Sequence, residues 1–121
     1  MKKILPVMLI LLALLLAACG ADKATPPVQA SPVVPVTGNV VTVDIRSFAF
    51  EPATITIKAG QTVTWTNHDG TAHTVAADDK SWKSDNLDQN GTFSHTFTSA
   101  GTFTYHCSLH LEMKGTVVVQ P

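Results

Sequence analysis

Charge is sparse in this 121-residue chain: Asp, Glu, Lys and Arg make up 14% of it, and the formal net charge is −1. No basic block occurs, so the electrostatic footprint of a nucleic-acid binder is missing. Helical periodicity is missing too beyond the first twenty residues, where apolar side chains recur at every second position. Cysteine is scarcer still, with Cys19 and Cys107 the only two. The disulfide framework that staples many small exported domains therefore cannot be built. The length holds one domain and not comfortably two.

The one long apolar run, Ile4 to Ala18, follows Lys2 and Lys3. It is too short for a membrane span and has the layout of a secretory signal, assigned to residues 1–18. It closes on Leu16-Ala17-Ala18-Cys19, which resembles a bacterial lipobox with Cys19 as the lipid-attachment residue. An ordinary cleaved signal with an incidental cysteine is the other reading. Residues 19–38 carry Pro26, Pro27, Pro32 and Pro35 and read as a stiff tether. Fully extended at ~3.1 Å per residue, it would hold a domain several tens of ångströms from a bilayer. Val33, Val34 and Val36 leave open an extra N-terminal strand. This organisation places the protein in the cell envelope, at a periplasmic or other extracytoplasmic face, lipid-anchored to a membrane. Without Lys2 and Lys3 the chain has 6 Lys and Arg against 9 Asp and Glu, a net of −3. The charges between Asp78 and Asp88 are mixed, with Lys80 and Lys83 among the acids, which reads as a solvated surface.

The remaining domain, residues 39–121, is all-β by pattern. Val41, Val43 and Ile45 share one strand face; so do Ile55 with Ile57, Val63 with Trp65, and His73 with Val75. Phe93, His95 and Phe97 repeat the alternation, as do Phe103, Tyr105 and Cys107, and Thr116 to Val119 close the chain. Short strands broken by Gly, Pro and Asn turns imply a β-sandwich or small barrel. The stretch from Asp78 to Asn90 lacks alternation and is expected to cross between sheets.

If Cys19 carries lipid, Cys107 is the one thiol of the mature chain, and metal ligation is a good reason to keep it. Cys107, His110 and Met113 stand in one loop with the spacing Cys-x2-His-x2-Met, and His73 lies upstream. Zinc gains little from a thioether, and iron–sulfur clusters want several thiolates. One copper ion, cycling between Cu(I) and Cu(II), suits two histidines and a cysteine in a plane with a weak axial methionine. Each residue has a bland reading alone, with Cys107 or Met113 as core filler and His110 as a surface histidine. The four in this register favour copper. His68 reads as exposed, His106 as pointing away from the Cys107 face, and His95 as packed and hydrogen-bonded.

The segment from Tyr105 to Val119 closely resembles the copper loop of cupredoxins, in particular the amicyanin and plastocyanin-like group. Phe48-Ala49-Phe50-Glu51-Pro52, Gly60 to Asn67, and Asp69-Gly70-Thr71-Ala72-His73-Thr74-Val75 are similar to that group as well. The resemblance covers residues 40–120. It implies a cupredoxin-like Greek-key β-sandwich of about seven to eight strands, with copper near one end. It also implies that the Thr74 amide donates to the Cys107 sulfur. Many members of that group carry Asn after the first histidine, bridging to the residue after the cysteine; here the hydroxyl pair Thr74 and Ser108 stands in that place. The function it implies is a type 1 (blue) copper carrier that shuttles single electrons and is not an enzyme. Leu109 and Leu111 would flank His110 as a docking patch for a cytochrome, dehydrogenase or oxidase, with the carrier itself a monomer. Glu112 would bias the choice of partner. The short loop further implies that His110 of the reduced protein protonates in mild acid, which histidine NMR signals would report. A copper-storage or delivery protein of the envelope is the alternative, although Met113 is the lone methionine outside the signal region.

Overall fold

Alternating valines, isoleucines and aromatics pair into strands because each strand then presents one apolar face. The computed structural model describes residues 36–121. The signal segment, Cys19 and the prolines of the tether lie outside the described residues. The strands are β1 (Val36–Thr37), β2 (Val40–Arg46), β3 (Ala49–Glu51), β4 (Thr54–Lys58) and β5 (Thr62–Asn67). They continue with β6 (Ala76–Ala77), β7 (Thr92–Thr96), β8 (Gly101–His106) and β9 (Lys114–Gln120). The count is nine against the expected seven to eight, because three very short strands (β1, β3 and β6) add to the long ones. β1 starts inside the segment read as tether: Val36 pairs with Val41 across a Gly38-Asn39 turn. Gly38 sits at φ +65°, a conformation that a two-residue hairpin demands. The extra-strand alternative thus holds at Val36, while Val33 and Val34 lie outside the described residues.

One sheet runs β1-β2-β5-β7, with β3 also on β2, and the other runs β4-β9-β8-β6. The β2–β5 and β4–β9 pairs are parallel and the rest antiparallel. Val41, Val43, Ile45, Val63 and Trp65 from the first sheet meet Ile55, Ile57, Tyr105, Val117 and Val119 from the second in one core. The segment after β6 passes from one sheet to the other, as expected. It is not featureless, for Ala76 bridges to Lys83 and His73 to Leu87. Trp82 from this crossing lies on Trp65, with ring centroids 5.6 Å apart.

His95 is packed as expected, but its partners are rings. It stacks on Trp82 at 4.8 Å and meets Phe97 edge-on, and its ring makes no hydrogen bond among the described residues. Desolvation holds its pKa below the ordinary 6.5. The unfolded chain therefore takes up the proton first as pH falls, and stability is complete above the unfolded value and declines below it. Denaturant midpoints should fall between neutral pH and pH ~5.5, and His95→Phe should flatten that slope. An unchanged slope in the variant would place the acid sensitivity elsewhere.

Candidate metal centre

The first metal-facing residue hangs from a buried amide. Asn67, at the end of β5, is fully buried; its side-chain nitrogen donates to the carbonyls of Thr71 and Leu87 at 2.9 and 2.8 Å. Its side-chain oxygen accepts the amide of Asp69. This pins the turn that carries His73 into the interior, where its own backbone exchanges two hydrogen bonds with Leu87. A buried polar side chain persists in a core only when satisfied in this way.

The loop after β8 carries the other residues. The Cys107 amide donates to the Met113 carbonyl, and the Met113 amide donates to the His110 carbonyl, both at 3.0 Å. Two such bonds fold Cys107, His110 and Met113 into one tight loop, with Cys107 and Met113 inside the core cluster. His110 is half-buried, Leu109 is 49% exposed and Leu111 is 67% exposed.

The donor atoms converge. Nδ1 of His73 and Nδ1 of His110 lie 3.2 Å apart, and the Cys107 sulfur lies 3.9 and 3.7 Å from them. First-row metal bonds of ~2.0 Å to nitrogen and ~2.3 Å to sulfur, spread about 120° apart, require donor separations of roughly 3.5 to 3.7 Å. The observed triangle lies within about 0.3 Å of that requirement on every side. Among the described residues these three form the one group of convergent metal-binding side chains. The set fits copper by its chemistry, being two imidazoles, one thiol with no disulfide partner, and a buried thioether beside them.

The atoms around the donors are arranged in turn. The Thr74 amide points at the Cys107 sulfur at 3.4 Å, as the family resemblance implied. The Thr74 hydroxyl lies 3.7 Å from that sulfur and accepts the Ser108 amide at 2.7 Å. The bridge between the two ligand segments thus uses the backbone of Ser108, whose side chain is exposed. Hydrogen bonds to sulfur favour the state with more negative charge on it, which is the reduced one. Thr74→Val keeps the shape and the amide but loses the hydroxyl. Voltammetry should show a lower reduction potential; an unchanged or higher value would deny the hydroxyl that role.

Two residues escaped the sequence reading. Asp69 accepts from Nε2 of His73 at 2.9 Å and from the amides of Ser47 and Phe48 at 2.7 and 2.9 Å. Partial burial opposes its ionisation, yet the Phe48 and Ser47 amides and the His73 ring hold its carboxyl below the usual range. Ser47 and Phe48 both adopt left-handed backbone, φ 52° and 57°, costly for residues other than glycine. The Phe48 ring stands edge-on to His73 at 5.2 Å and to His110 at 5.0 Å, with half its surface in solvent. An acid four residues before a ligand is a weak cue in sequence, and a phenylalanine 25 residues away is none.

The spare histidines sit apart from the donors. His68 is exposed beside Asp44, and His106 pairs with Asp78.

The family model of a cupredoxin-like domain matches residues 6–119. Amicyanin of Paracoccus denitrificans is 37% identical over 122 residues, covering 91% of this chain and 92% of the relative. Plastocyanin of Scenedesmus fuscus is 39% identical over 90 residues, 64% of this chain and 92% of the relative. Among solved structures, a reduced amicyanin variant superposes with a TM-score of 0.65 at 33% identity, covering 70% of this chain and 86% of that one. A Cu(I) form of another amicyanin variant at pH 4 gives 0.64 at 35% identity, with 74% and 92% coverage. With a family model matched along nearly its whole length and relatives of similar sequence and fold, the chain belongs to the cupredoxin-like family.

Proposed function

We infer that this protein is a type 1 copper electron carrier, with His73, Cys107 and His110 holding one copper ion and Met113 adding a weak fourth contact. The observation that carries this reading is the convergent triangle of two imidazole nitrogens and one sulfur, with His73 and Cys107 buried and His110 half-buried. Copper, when bound, supplies one-electron cycling between its cuprous and cupric states. The chain's part is to hold donors still. Asn67, Asp69 and Thr74 hold the His73 side of the site, and the paired loop bonds hold the Cys107–Met113 side. Asp69 accepts a hydrogen bond from Nε2–H of His73, which keeps the proton on Nε2 and leaves the Nδ1 lone pair free for a metal. Such rigidity suits electron transfer, which is fast when little moves. The protein is a carrier and not an enzyme.

Redox proteins dock transiently on the end of the sandwich where His110 reaches the surface. Leu109, Leu111 and the exposed Phe48 ring supply an apolar cap for that contact. A cytochrome, dehydrogenase or oxidase fits this role, met by a monomeric carrier. The lipobox supports attachment through Cys19, with residues 1–18 as signal, 19–38 as a tether whose Val36 and Thr37 form β1, and the copper domain from 39.

A visible spectrum tests the reading. The copper-loaded, oxidised protein should absorb strongly near ~600 nm, and Cys107→Ser should lose that band. A colourless copper-loaded parent protein would sink the proposal.

A further inference from the structure

The charges of the crossing segment are mixed along the chain but sorted in space. Two grooves meet at the His106–Asp78 pair, one reaching Lys80, Lys83 and Ser108, the other reaching Lys114 and Leu111. Lys114 faces His106 across the β8–β9 ladder. None of these three lysines forms a salt bridge among the described residues. The acids are elsewhere or engaged. Asp79 binds Ser81 and lines a different depression with Thr102 and Thr104. Asp85, Asp88 and Glu112 line neither groove. Asp78, bonded to His106, is the one acid that lines both grooves, against three lysines. The surface is therefore locally cationic on a domain whose residues 36–121 carry five Lys and Arg against eight Asp and Glu, a net of −3.

Leu111 belongs both to this groove and to the apolar cap beside His110. We propose that the protein docks its redox partner through a two-part surface: the cap around His110 and, joined at Leu111, a cationic groove over Lys80, Lys83 and Lys114. That surface fits a redox protein whose apolar contact is flanked by acidic side chains. The inference rests on the electron-carrier reading and adds the chemistry of the partner. Charge of this kind acts on encounter rate and orientation more than on final affinity.

Net charge alone makes the opposite forecast, since a domain at −3 repels an acidic partner. Two c-type cytochromes of similar size and potential, one acidic and one basic, separate the two cases. The probe reaction is their second-order electron exchange with the copper-loaded protein, followed by stopped flow as salt is raised. With the acidic cytochrome the rate should fall as salt screens the attraction. The triple variant Lys80→Glu, Lys83→Glu, Lys114→Glu should be slower at low salt by about tenfold or more, and faster with the basic cytochrome. The corresponding three Lys→Gln changes should give a smaller loss, and they serve if the charge-reversed protein fails to fold. Amide NMR shifts on adding the acidic cytochrome should include the three lysines. An acidic-cytochrome rate that rises with salt, or that ignores both variants, overturns the proposal. So do shifts confined to Phe48, Leu109 and Leu111. A colourless parent protein would overturn the carrier reading itself, whereas a blue one failing these tests overturns only the docking surface.

Discussion

Gly115→Ala should strongly destabilise this domain, although it adds a single methyl group. Gly115 is buried in β9 and sits opposite Tyr105 in the ladder, with the tyrosine ring folded over it. A Cβ there would overlap the ring at Cζ and at the hydroxyl oxygen. The ring cannot step aside. Phe50 and Trp65 hold it edge-on from two directions, at centroid distances of 4.8 and 5.3 Å, and it is 1% exposed. Overpacking a filled core costs about 1–3 kcal/mol and occasionally more. This site lies at the upper end, because the clash falls on a rigid ring two residues from Cys107 and the strand must move with it. Chemical denaturation of the apo protein should lose about 3 kcal/mol, a large share of the ~5–15 kcal/mol that holds a small domain folded. The Tyr105→Leu background supplies the check, since the alanine should cost far less where the ring is gone. A loss below about 1 kcal/mol in the parent background would mean that the ring moves freely.

The same tyrosine shows where sequence reasoning reaches its limit. Its burial is legible from the alternation Phe103, Tyr105, Cys107, and the structure bears that out. Burial also pushes its hydroxyl pKa up to about 12, against a smaller opposing effect of Trp65. Yet neither the hydroxyl nor the Trp65 indole nitrogen reaches a hydrogen-bond partner among the described residues. No periodicity announces that.

The copper loop was readable because three of its donors are local, at a spacing that one tight turn satisfies. His73 needed the resemblance as well, since 34 residues separate it from Cys107. The long strands were readable because burial alternates along them; β3 and β6 were not, being too short for a period to register. The lysines of the crossing segment looked like a mixed solvated surface for a related reason. Linear order carries no record of which side chains a loop sends to the same side. Contacts that depend on two distant segments meeting, such as Asp69 with Ser47 and Phe48, stay hidden until the sheets are assembled.

That hidden contact yields the other large effect expected. Asp69→Ala removes one carboxylate with two separate duties. It fixes His73 through Nε2, and groups in that position typically account for 10–100-fold in metal affinity. It also accepts both amides of a left-handed pair, Ser47 and Phe48, and left-handed non-glycine residues cost about 1–3 kcal/mol each unless surroundings hold them. Without the carboxylate the pair should relax, and the Phe48 ring should leave the two imidazoles it touches. Copper affinity, read by competition with a chelator, should fall about 10–100-fold, and the apo domain should lose about 1–3 kcal/mol. Asp69→Asn, which keeps one acceptor oxygen, should fall between. The two duties separate on adding Ser47→Gly, because glycine adopts the left-handed conformation without strain. In the Asp69→Ala background that change should restore part of the apo stability and leave copper affinity low. Recovery of both would mean that Asp69 acts on the metal only by holding the Ser47–Phe48 turn. Recovery of stability alone would establish that the carboxylate orients His73 directly.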